Sequence, residues 1–148
     1  STKRLGELED AFAADPARLD VAVALTEAYI ERERPELAIT VYRAAADALH
    51  ASPMLTHRLS QAYEADGNVR EALEVAERAV VRCGERLEID GGDDHMACTE
   101  RLAVVLDIHV VALTRLLAWG VTNPATDSRT RLAYDTAMRR ASIAMLVR

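Results

Sequence analysis

The sequence predicts an all-α protein, a helix–turn–helix repeat array closed by a divergent C-terminal helical pair acting as a cap. Three observations support this. Half of the 148 residues are hydrophobic, alanine dominates that set, and aromatic residues make up only 4%. Alanine carries no side-chain entropy cost in a helix and lets helices approach closely, which favours helix packed on helix over sheet. Only 6 Gly and 4 Pro accompany it, and the chain resembles itself at a fixed offset of 34 residues.

The offset is clearest between "LTEAYIERERPELAITVYRAAA" (25–46) and "LSQAYEADGNVREALEVAERAV" (59–80). Leu25 matches Leu59, Ala28 matches Ala62 and Tyr29 matches Tyr63; Ala38 matches Ala72, Val41 matches Val75 and Ala45 matches Ala79. Thr26 and Ser60, both small, also coincide. The matches fall at helical spacing, so the repeated unit is a pair of helices with a turn between them. Small residues at 26, 28, 38 and 45 suit close helix crossings, where a larger side chain would force the helices apart. Gly67 in "ADGN" can take the left-handed conformation that ends a helix, and Pro35 in "RERPEL" suits the first turn of the next one.

A 34-residue helix–turn–helix unit with this pattern resembles the tetratricopeptide repeat. The first copy supplies Ala22, Leu25, Thr26, Tyr29, Ala38 and Tyr42, and the second Thr56, Leu59, Ser60, Tyr63, Ala72 and Ala76. The family's bulky opening residue is Ala22 or Thr56 here, and Ala76 stands where an aromatic is usual. Upstream, Leu5, Leu8, Ala11 and Phe12 form a stripe ending at Pro16, like the second helix of an incomplete repeat. The resemblance covers about residues 2–83 of a single domain spanning 1–148. It implies a half-repeat helix at 2–16, one repeat at 19–52, a second at 53–88 and capping helices over 95–148. Helices are expected at about 2–14, 18–32, 35–49, 53–65 and 69–88.

Past residue 88 the pattern stops. "EIDGGDDHM" (88–96) is a polar break whose aspartates can cap the following helix, about 95–118, which ends at Gly120. After "VTNPATDS", Asp127 or Ser128 caps a last helix, about 128–146. End units of repeat arrays lack a neighbour on one side and diverge accordingly. The run "LAVVLDIHVVALTRLLAW" (102–119) contains Asp107, His109 and Arg115, each costly in lipid, and reads as a buried helix.

The net charge of −6 argues against nucleic acid as the main partner. Residues 1–94 hold 11 basic and 20 acidic side chains; residues 95–148 hold 7 and 4, the basic ones all arginine. No signal peptide or membrane span is expected, which points to a cytoplasmic protein, with a removed leader left open because the numbering begins at Ser1. Cys83 and Cys98 read as two buried thiols; they flank one connection between helices, so a disulfide is the alternative.

Three clusters invite a chemical reading. Asp93, Asp94, His95, Cys98 and Cys83 lack the paired-cysteine spacing of a zinc site, and helix capping accounts for the aspartates. Glu71, Glu74 and Glu77 alternate with Arg70 and Arg78 on the polar side of a helix, a solvated face with local ion pairs. His109 sits among Val104, Val105, Leu106, Ile108, Val110 and Val111 with no second histidine or nucleophile on its helix, so it reads as a packed histidine. No phosphate loop or Gly-x-Ser-x-Gly element occurs, and neither an enzymatic activity nor a cofactor or metal is expected.

The resemblance also implies a binding surface. In tetratricopeptide arrays the first helix of each pair lines a concave face that holds a peptide or partner helix. Carried onto this chain, that lining is Val23, Glu27, Ile30, Glu31, Met54, His57, Arg58 and Gln61. Family members that grip the C-terminal carboxylate of heat-shock chaperones place Lys and Asn where Val23 and Glu27 stand, and a glutamate there would repel that ligand. The expected role is a non-enzymatic adaptor or scaffold for a protein or peptide partner. A small acidic secretion-type chaperone is the alternative, and a metal-dependent enzyme the alternative from another class. A second candidate interface is an apolar patch on the C-terminal helices, through Val110, Leu113 and Leu117 with Arg139 and Arg140 as rim, that pairs with a copy of itself in a homodimer or with a partner helix.

Overall fold

The computed structural model describes residues 2–45, 52–87 and 97–120, together with Thr136, Arg139 and Arg140. Six helices are delimited among these residues, α1 (Thr2–Ala14), α2 (Leu19–Glu31), α3 (Pro35–Ala44), α4 (Pro53–Ala65), α5 (Val69–Glu85) and α6 (Glu100–Ala118), and Thr136, Arg139 and Arg140 are helical as well. The described residues contain no strand, only an isolated bridge between Leu87 and Cys98. Each helix packs chiefly against its neighbours in the chain.

The 34-residue offset extends from the sequence to the backbone. The turn after α2 closes with Glu33 N donating to Ile30 O at 3.0 Å and Arg34 N to Tyr29 O at 2.9 Å. The turn after α4 repeats both bonds, Gly67 N to Glu64 O at 3.0 Å and Asn68 N to Tyr63 O at 2.8 Å. Such paired bonds satisfy the last carbonyls of a helix, provided that one residue adopts a positive φ. That residue is Gly67 (φ 86°) in one turn and Glu33 (φ 57°) in the other. Pro35 then opens α3, and Ser52 caps α4, its hydroxyl accepting from Leu55 N at 3.2 Å ahead of Pro53.

Packing follows the same offset. Leu25 and Leu59, Thr26 and Ser60, Tyr29 and Tyr63, Ala38 and Ala72, and Val41 and Val75 are all buried, pair by pair. The Ser60 hydroxyl reaches across to donate to Ala72 O, which ties α4 to α5 where their small residues meet. Both tyrosines use their hydroxyls on a residue 20 positions earlier. Tyr29 donates to Glu9 Oε2 at 2.8 Å. Tyr63 instead accepts from Arg43, at 2.7 Å from Nη2 and 3.1 Å from Nε.

α5 has the sharpest division of faces: Val69, Ala72, Val75, Ala76, Ala79 and Cys83 are buried, while Glu71, Glu74, Glu77 and Arg78 are exposed. α6 lies against it. Its C-terminal half adds Ala112, Leu113 and Leu116 to the main core. Its N-terminal half builds a second cluster, with Leu106 packed near Ala79, Cys83 and Cys98.

Two expectations are corrected. Cys83 and Cys98 are joined as a disulfide, with Cα atoms 5.0 Å apart, rather than standing as two thiols. Backbone pairing brings them together: Cys98 N donates to Arg86 O at 3.0 Å, which returns the chain alongside the end of α5. The last long helix begins at Glu100 rather than near 95, because Thr99 caps it, its hydroxyl accepting from Leu102 N at 3.1 Å. The polar break 88–96, with Asp93, Asp94 and His95, lies outside the described residues. So do most of the expected last helix and residues 46–49 of the helix expected over 35–49. No described helix is long and apolar enough to cross a membrane.

Candidate functional site

Neighbouring helices leave a furrow wherever the residues between them are small, and α2 and α4 do so over α3. The furrow holds about 380 Å³ and is lined by Thr26, Glu27, Ile30 and Glu31 of α2, Tyr42 of α3, and Arg58, Gln61, Ala62 and Ala65 of α4. Ala62 and Ala65 keep one wall low, and the buried Tyr42 forms the floor. Burial pushes the Tyr42 phenol up from its ordinary range, so it stays neutral and works as a hydrogen-bonding group.

Charge is concentrated at the mouth. Arg58 Nη1 donates to Glu27 Oε1 at 2.6 Å, spanning from α4 to α2. Both side chains are partly solvated, so the pair contributes no more than about 1 kcal/mol and opens easily to another partner. Glu31 adds a second carboxylate one helical turn beyond Glu27. Ile30 stands between them, 43% exposed, an apolar side chain offered to solvent within a charged rim. Glu27 and Glu31 also border a smaller recess of about 210 Å³ against Arg4, Leu5 and Leu8 of α1. The arrangement can hold an extended chain or a helix edge through one apolar contact and several polar ones.

Of the residues singled out on the concave face, Glu27, Ile30, Glu31, Arg58 and Gln61 share this groove. Val23 and Met54 are half-buried, Val23 against the core. His57 points the other way, and is buried against His109 of α6. Thr26, Tyr42, Ala62 and Ala65 complete the lining and were not expected there. Tyr42 had a signal, being the aromatic of the repeat pattern; the other three read only as packing residues.

The C-terminal candidates separate in the same way. Leu113 is fully buried, and Val110 and Leu117 are half-buried against the core. Arg139 and Arg140 are exposed and helical. The apolar residues that α6 does present to solvent are Val104 and Val105, with Trp119 just after its end. Among the described residues no group of three or more potential metal ligands forms.

The buried pair of histidines escaped sequence reasoning. His57 and His109 meet edge to face with ring centroids 5.1 Å apart, and His109 Nε2 lies 3.5 Å from Glu64 Oε2. Burial, then the neighbouring His109, pushes the His57 imidazole down to about 4 from the usual 6.5.

The described residues are all-helical, with a solvent-open groove between α2 and α4. No family model, curated protein or solved structure matches the chain.

Proposed function

We propose that this chain is a non-enzymatic adaptor of tetratricopeptide type that docks a protein or peptide partner in the α2–α4 groove. The observation that carries this reading is the convergence of Glu27, Ile30 and Glu31 with Arg58 and Gln61, residues of two successive first helices, on one open furrow. The 34-residue repetition supports it. Turn hydrogen bonds, positive-φ positions and tyrosine contacts all recur at that offset, as expected of duplicated helix pairs stacked side by side. In this reading α6 closes the open end of the second repeat and leaves the opposite face of α2 and α4 free for a ligand.

The partner suited to the groove is a segment with one apolar anchor for the Ile30–Ala62 wall and a basic group that takes Glu27 or Glu31. An exposed ion pair at the mouth exchanges partners at little cost, so Arg58 can turn to a carboxylate on the ligand when Glu27 is engaged.

A photo-crosslinking side chain placed at Gln61, with Glu74 on the outer face of α5 as control, tests this in the native cell. One discrete partner captured at position 61 and absent at position 74 is the expected result. Equal labelling at the two positions, or none at 61, rejects the groove.

A further inference from the structure

Behind the groove, α4 carries a buried polar cluster that partner docking does not use. His57 is 8% exposed and His109 3%, and their rings meet at an interplanar angle of 85°. Among the described residues, His57 Nδ1 and both ring nitrogens of His109 are buried without a hydrogen-bond partner. Buried polar atoms in native proteins are nearly always paired, and two apolar side chains of similar volume would fill this space at less cost. A neutral His57 ring tolerates the site; an imidazolium there is a buried charge.

The surroundings set how much charge the site can accept. From α4, Glu64 offers one carboxylate, 3.5 Å from His109 Nε2, and Arg58 adds a cation that lowers the proton affinity of His57. α6 contributes His109 itself. The buried face of α5 presents Val69, Ala72, Val75, Ala76 and Ala79, with Cys83 held in the disulfide. On α3, Tyr42 faces the groove and Arg43 is engaged with the Tyr63 hydroxyl. Among the described residues the carboxylate beside these rings is Glu64, and a proton on His57 places a charge in a buried site against a second imidazole.

The consequence falls on α6. Its N-terminal end is pinned to α5 through the disulfide and the cluster around Leu106. The half that begins at His109 is held by the histidine pair and by Ala112, Leu113 and Leu116. We propose that His57, packed edge to face on His109, forms an acid-sensitive latch. A neutral His57 ring seats the C-terminal half of α6 against α4, and its protonation unseats that half while the disulfide keeps its other end in place. Released, this half uncovers Leu113 and Leu116 along with the α4 and α5 faces they covered. The depressed proton affinity of His57 places the release in the acid range, setting in below pH 6.5 and complete near pH 4.

Residue-resolved amide exchange of the oxidised protein at pH 7 and pH 4.5, corrected for intrinsic rates, tests the latch. Protection over 109–118 should fall at least tenfold at the lower pH while 19–31 keeps its protection. His57→Leu, which fills the site without titrating, should hold 109–118 protected at pH 4.5. His57→Gln, polar and non-titrating, should do the same. Unchanged protection at pH 4.5 overturns the proposal, as does loss in step across all helices or the same pH response in His57→Leu. Should His57→Leu fail to fold, the same pH response in His57→Gln overturns it alone.

Discussion

Glu33 and Gly67 occupy the same place in two turns 34 residues apart, each in the left-handed region, at φ 57° and 86°. Glycine takes that conformation freely, whereas a side chain there costs about 1 kcal/mol. Glu33→Gly should therefore stabilise the protein by about 0.5–1 kcal/mol, and Gly67→Ala should destabilise it by about 1 kcal/mol. Denaturant midpoints of the two variants, read at constant slope, check both signs.

Ala62 of α4 is fully buried beneath the groove. Ala62→Leu should overpack its surroundings and cost about 1–3 kcal/mol. Glu74→Ala, on the exposed side of α5, should stay within about 0.5 kcal/mol of the parent. Thermal melts at one pH separate the two, and equal melting temperatures would contradict the close packing around Ala62.

The Cys83–Cys98 disulfide closes a loop with a sequence separation of 15, for which chain-entropy arguments give about 3 kcal/mol. Reduction, or Cys83→Ala with Cys98→Ala, should lower stability by about 2–4 kcal/mol. Melts with and without reductant measure it, and mass analysis after alkylation of the unfolded, unreduced protein should show no modified cysteine.

Stability should also fall with acid. Folding lowers the affinity of His57 for a proton, from 6.5 to about 4, so the unfolded chain binds more protons in between. Its stabilising contribution is complete above pH 6.5 and drains away as pH falls toward 4, by up to about 3 kcal/mol. Denaturant melts from pH 7.5 to 4 should show this slope, and His57→Leu should flatten it.

Periodicity made the helices legible, because each buries one stripe of small and aliphatic residues that recurs at helical spacing. Turn residues marked the ends: Pro35 and Gly67 stand where the chain must start or stop a helix. Thr99 was less visible, since the aspartates before it advertised capping just as well and only the path of the chain decides which residue caps. The same limit hid the disulfide, whose closure depends on residues after α5 returning beside Arg86. For the groove, the repeat register placed Glu27, Ile30, Glu31, Arg58 and Gln61 on one side of their helices. His57 is adjacent to Arg58 in sequence, and one residue turns a helix by about 100°, enough to carry it round to α6. The pairing of His57 with His109 joins different helices, which a periodicity read along one helix cannot reveal.

The groove is tested most directly by the affinity of the partner captured at Gln61 for three purified forms: parent, Ile30→Arg and Glu74→Arg. Ile30 is exposed in the groove, so its replacement leaves the fold intact while removing the apolar anchor. Ile30→Arg should weaken binding at least tenfold, about 1.4 kcal/mol, with Glu74→Arg unchanged. Equal affinity for parent and Ile30→Arg would contradict partner docking in the α2–α4 groove.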